Sequence, residues 1–184
     1  KYEDISKNLR KLRDAEWSCR KAIEIKPDFA EAHSNLGIIL KDIGKLQEAE
    51  LSTRKAIEIN PYFAQAHLNL GTILIDLGKL QEAEVSTRKA IELNPNSADA
   101  HSNLGNILKD LGKLKEAEKS ILKAIKIDPK NKNTQKDLIS LLTVYEPENV
   151  SMNPLYLINQ EFNKLNLYTE ENILITDEEA RKIY

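Results

Sequence analysis

Asparagines stand at Asn35, Asn69 and Asn103, and since 69−35 and 103−69 both equal 34 they form a column of carboxamides at constant spacing. Each carboxamide carries a donor and an acceptor, so such a column could hold an extended peptide backbone at regular intervals. The same amides could instead bond neighbouring helices to one another. Asp42, Asp76 and Asp110 keep the same step, and carboxylates so placed would favour basic or neutral peptides. His33, His67 and His101 also repeat. Imidazole ligates metals, but these three are a whole repeat apart, too far for one ion to gather them, and they read as packing residues. Cys19 is the only cysteine. It can form no intramolecular disulfide, belongs to no paired Cys/His zinc spacing, and has no neighbour in sequence that would lower its pKa. No nucleophile–base pair, phosphate-cradling glycine loop or metal cluster is present, so neither catalysis nor a cofactor is expected.

The elements that position these residues follow from the period. Pro27, Pro61, Pro95 and Pro129 are spaced by the same 34, as are Gly37, Gly71 and Gly105; Gly44, Gly78 and Gly112; Ala49, Ala83 and Ala117; and Ala56, Ala90 and Ala124. Repeats therefore run over 30–63, 64–97 and 98–131, and residues 1–29 are most of a preceding unit, with Ala15 and Ala22 in the alanine columns. Within each unit, residues such as Ala32, Leu36, Ile39 and Leu40 recur at helical spacing up to a glycine, where a left-handed turn is least strained. A second apolar helix starts near Leu46, carries Ala49, Thr53, Ala56, Ile57 and Ile59, and stops before Pro61. Short links make the two helices antiparallel. One such hairpin cannot bury both its apolar faces, so hairpins must stack into an all-α solenoid.

These columns resemble the tetratricopeptide repeat family: His33-x-x-Leu36-Gly37-x-x-Leu40, then Ala49-x-x-x-Thr53-x-x-Ala56, then Pro61. The resemblance covers residues 1 to about 145. The sequence departs from the family pattern with His33 in place of Trp, Leu40 in place of Tyr and Thr53 in place of Phe, which alters packing volume. The resemblance implies a right-handed superhelix whose first helices line a concave groove. Glu31, Gln65 and Asp99; Ser34, Leu68 and Ser102; the asparagine column; Ile38, Thr72 and Asn106; Lys41, Ile75 and Lys109; and the aspartate column would face it. The expected peptide-binding set is accordingly Asn35, Asn69, Asn103, Asn106, Lys41, Lys109, Asp42, Asp76 and Asp110. The repeats are similar to those of O-linked N-acetylglucosamine transferase, whose asparagine ladder implies peptide contact for Asn35, Asn69 and Asn103. Members of the family that bind chaperone tails place basic residues at groove positions two, five and six. Those columns hold no Lys or Arg in the three full repeats, which disfavours that ligand.

Charge narrows the partners further. With 27 basic and 29 acidic side chains the formal charge is −2, short of the net basic face that nucleic acid requires. No apolar run approaches the roughly 20 residues that span a bilayer, and Lys1-Tyr2-Glu3-Asp4 does not resemble a secretory signal. The expectation is a soluble protein of a reducing compartment, the cytoplasm. After Asn131 a capping helix is expected over 132–145, with Leu138, Leu141 and Leu142 at helical spacing. Residues 146–184 form a tail in which Asn153-Pro154 opens an apolar helix and Thr176 begins a capping box. Both ends interrupt units, so the chain reads as part of a larger protein. Two functions fit: a scaffold that binds a peptide or partner protein, or the substrate-selecting repeats of a larger enzyme such as a glycosyltransferase. Self-association through Tyr2, Ile5 and Leu9, apolar residues with no preceding unit to cover them, is a further expectation.

Overall fold

Three glycines decide where the chain turns. In the computed structural model, which describes residues 2–144, Gly44, Gly78 and Gly112 adopt φ of 82°, 72° and 74°. Each glycine NH donates to the carbonyl three residues back, and the next residue reaches five back: Gly44 N to Lys41 O at 2.9 Å and Lys45 N to Leu40 O at 2.8 Å. This paired closure satisfies helix-end carbonyls and needs a residue that tolerates positive φ. Arg10 stands in register with these glycines, and there the helix runs straight on. The elements are α1 (Tyr2–Ile25), α2 (Ala30–Asp42), α3 (Leu46–Ile59), α4 (Ala64–Asp76), α5 (Leu80–Leu93), α6 (Ala98–Asp110), α7 (Leu114–Ile127) and α8 (Lys132–Val144). There is no strand among the described residues. The expected helices after Asn153 and at Thr176, and the side chains of Tyr2 and Ile5, lie outside the description.

The other end of each hairpin is set by proline. Asn60, Asn94 and Asp128 precede Pro61, Pro95 and Pro129 and are extended, with φ from −128° to −139°. Clash with the proline ring excludes the helical conformation at that residue, so α3, α5 and α7 end there.

The described residues fall into two compact units that divide after Pro95. In the first, α2/α3 and α4/α5 are hairpins, α1 packs on α2, α3 on α4, and α2 on α4. Its core joins Leu36, Leu40, Ala49 and Ile73, with Cys19, Ile23, Ile43 and Leu77 packed around them. In the second, α6/α7 is the hairpin and α8 packs on both, burying Leu138, Leu141 and Leu142.

Within a hairpin the two helices approach until only glycine fits. A Cβ on Gly37 would collide with Thr53 Oγ1 and sit 3.2 Å from the Ala49 carbonyl oxygen; Gly71 faces Thr87 in the same way, and Gly105 faces Ile121. The threonine that departs from the family pattern is thus the residue against which Gly37 and Gly71 close, and Ile121 takes its place opposite Gly105.

Candidate protein-binding faces

The first helices of each unit present one face to the core and one outward. On α2, Ala32, Leu36 and Leu40 are buried, while Glu31, Asn35 and Asp42 are exposed. On α4 the exposed residues are Gln65 and Asp76, and on α6 they are Asp99 and Asp110. Asn103 and Asn106 are half-buried. Helical spacing produces this split, because positions two, six and thirteen of a repeat lie away from three, seven and eleven.

The asparagine column is not uniform. Asn35 is exposed, but Asn69 is only 8% exposed and its amide is engaged on both sides. Its Nδ2 donates to Ser34 Oγ at 3.0 Å, and its Oδ1 accepts from Gln65 Nε2 at 2.8 Å. Asn69 therefore ties α4 to α2, the structural use of such an amide, and has little surface left to offer a peptide. The second unit repeats the device: Asp137, in the asparagine column of α8, accepts from Ser102 Oγ at 2.7 Å. The signal was in the sequence as a serine one position before the column in the preceding repeat.

Lysines temper the acidic rim. Lys41 Nζ lies 3.1 Å from Asp42 Oδ1 and 4.0 Å from Asp76 Oδ2. Lys109 Nζ donates to Ser140 Oγ at 3.1 Å. Both stand within the outward face, one bridging two repeats and one joining α6 to α8.

The histidines fasten loops. His33 Nε2 lies 2.9 Å from the Pro27 carbonyl oxygen and His67 Nε2 lies 3.0 Å from that of Pro61. In α8 the position holds Gln135, whose Nε2 donates to the Pro129 carbonyl. An amide replaces an imidazole because the position needs a donor. Cys19 is half-buried, and burial pushes its thiol pKa up, which leaves it less reactive than a free cysteine.

A lattice of ion pairs across the second helices was not read from the sequence. Glu16 Oε1 receives Arg20 at 2.8 Å from its own helix and Lys45 at 3.3 Å from the next repeat, while Arg20 also reaches Glu48 at 3.1 Å. One repeat on, Glu50 receives Arg54 at 2.9 Å and Lys79 at 2.8 Å, and Arg54 reaches Glu82 at 2.6 Å. The hydrogen bond from Arg20 holds the Glu16 carboxyl below its ordinary pKa, with Lys45 adding to it, and the bond from Lys79 does most for Glu50, with Arg54 adding. Lys55 and Lys89, in one column of the second helices, pair with Glu58 and Glu92 at 2.8 and 2.7 Å at the surface.

Family models agree with this geometry. A tetratricopeptide repeat model matches residues 30–63 and 98–131, a TPR repeat model matches 71–112, and a second tetratricopeptide repeat model matches 53–85, so together they span 30–131 without a gap. No curated protein matches the sequence. Among solved structures, a crystal structure of MamA is 22% identical with a TM-score of 0.69, over 98% of this chain and 96% of that one. Pseudomonas aeruginosa PilF is 23% identical with a TM-score of 0.71, over 85% and 70%. The TPR domain of Arabidopsis OM64 is 22% identical with a TM-score of 0.61, over 63% and 96%. At these identities the likeness is one of fold. No helix among the described residues is long and apolar enough to cross a membrane.

Proposed function

From the premise that this chain belongs to the tetratricopeptide repeat family, and so is a protein-interaction scaffold, we propose that its first helices bind an extended, neutral or basic peptide segment of a partner protein. The observation that carries this reading is the recurrence of exposed acceptors at fixed positions of the first helices: Asp42 and Asp76 in one unit, Asp110 in the other, with Glu31 and Asp99 a helix length away. An acidic face of this kind attracts basic segments and repels acidic ones. In the first unit Asn35 supplies an amide for a peptide backbone, and Asn69 holds α2 and α4 in the spacing that makes that unit's face; in the second unit Asn103 and Asn106 supply such amides. Lys41 and Lys109 keep the charge moderate, so that neutral segments are accepted too. The chain acts as a binding module and not as a catalyst.

The test is a titration of basic, neutral and acidic peptide pools against wild type and an Asp42→Lys, Asp76→Lys, Asp110→Lys triple variant. Wild type should favour the basic pool, the variant should favour the acidic pool, and the difference should fade as salt screens the charges. Unchanged selectivity in the variant would sink the proposal.

A further inference from the structure

The second helices of the first unit carry a feature that the groove reading leaves unused. Trp17 on α1, Leu51 on α3 and Val85 on α5 are 64%, 70% and 70% exposed, and 51−17 and 85−51 both equal 34, so they occupy one register position. A large apolar side chain at the same exposed position in three successive repeats is a row, since α1 packs on α2, α2 on α4 and α3 on α4, which stacks the repeats in order. In the second unit the position holds Lys119. An apolar cleft opens between α1 and α3 and another between α3 and α5, with Leu51 and Val85 at their edges. One of about 540 Å³ has Ile23, Leu36 and Leu40 in its lining, and one of about 700 Å³ has Ile57, Leu70 and Leu74.

Charge is sorted on either side. Three residues before the row lie Asp14, Glu48 and Glu82, and four residues after it lie Lys21, Lys55 and Lys89. On a helix, i−3 and i+4 share a face with i. The surface therefore reads as an acidic strip, an apolar row and a basic strip.

We propose that this face pairs with the same face of a second copy of the chain. The strips choose the occupant and its orientation. A half-turn about an axis along the apolar row lays row on row, with Leu51 against its counterpart, and sets each acidic strip against the other copy's basic strip. A half-turn about an axis parallel to the helices would oppose like charges, which specific interfaces avoid. A partner helix of one charge sign would meet one repulsive strip, whereas a second copy meets none. The contact is isologous and closes as a dimer. The intrachain pairs of Lys21, Lys55, Lys89, Glu48 and Glu82 lie at the surface and are weak, so they yield readily to the new partners.

Sedimentation velocity of the full chain over a concentration series tests this. Wild type should show a concentration-dependent dimer. Leu51→Lys, which copies the residue at Lys119, should weaken it by roughly tenfold or more. A Glu48→Lys, Glu82→Lys variant and a Lys55→Glu, Lys89→Glu variant should each fail to dimerise alone and should form a heterodimer when mixed. A wild type that stays monomeric at the highest concentration, a dimer indifferent to Leu51→Lys, or no recovery on mixing would each overturn the proposal. As a readout that leaves the charges intact, Leu51→Cys in a Cys19→Ser background should cross-link to a disulfide dimer under diamide, while Tyr62→Cys at an exposed turn should not. Equal cross-linking of the two also contradicts it.

Discussion

At the residue scale, one column can hold two jobs. Asn35 and Asn69 share a register position, yet one is exposed and the other is a buried tie to Ser34. Asn69→Ala leaves the Ser34 hydroxyl buried without that partner, and should lower unfolding stability by about 1–2 kcal/mol. Asn35→Ala should stay within about 0.5 kcal/mol of wild type, as exposed substitutions do, while weakening peptide binding. Chemical denaturation of both variants checks the pair, and equal losses would contradict the division of roles. The glycine opposite each threonine gives a sharper case. Gly37→Ala should destabilise the fold by about 1–3 kcal/mol, the range for overpacking. Adding Thr53→Ala removes the Oγ1 that the new methyl strikes, so the double variant should recover part of the loss. Additive losses would show that the clash lies elsewhere.

At the element scale, the sequence carried the boundaries because proline and glycine act locally. A positive-φ turn needs Gly44, and an extended residue is forced before Pro61, so helix ends could be read without knowing the packing. What the sequence obscured were links between repeats. Lys45 to Glu16 and Lys79 to Glu50 span 29 residues, and a column viewed within one repeat shows only half of each pair. The split in the asparagine column escaped for the same reason, since the partner of Asn69 lies in the preceding repeat. These ion pairs give a pH dependence whose sign is fixed. Glu16 and Glu50 have folded pKa values below their unfolded ones, so their contribution is complete above the ordinary glutamate range and fades as pH falls through the folded values. Melting temperature should therefore drop on acidification, and Glu50→Gln should flatten that slope. Exposed partners and salt keep the effect modest. A Glu50→Gln variant with the same slope as wild type would remove the carboxylate from the account.

At the scale of the whole molecule, a 34-residue period turns single positions into rows. Rows on the first helices are acidic and amide-bearing, and the row on α1, α3 and α5 is apolar between strips of opposite charge. The architecture was legible because five columns repeated in register. The ligand was not, since a row of aspartates specifies charge and spacing but no side-chain sequence. The central claim is that the first-helix faces hold an extended basic or neutral segment, and amide chemical-shift mapping tests it most directly. A basic peptide selected for binding is titrated into the isotope-labelled chain while backbone amides are followed. The account predicts shifts concentrated at Asn35, Asp42, Asp76, Asn106 and Asp110, with binding weakened by more than about tenfold when the three aspartates become lysine. Shifts confined to α3, α5 and α7, with affinity unchanged in the aspartate variant, would contradict it.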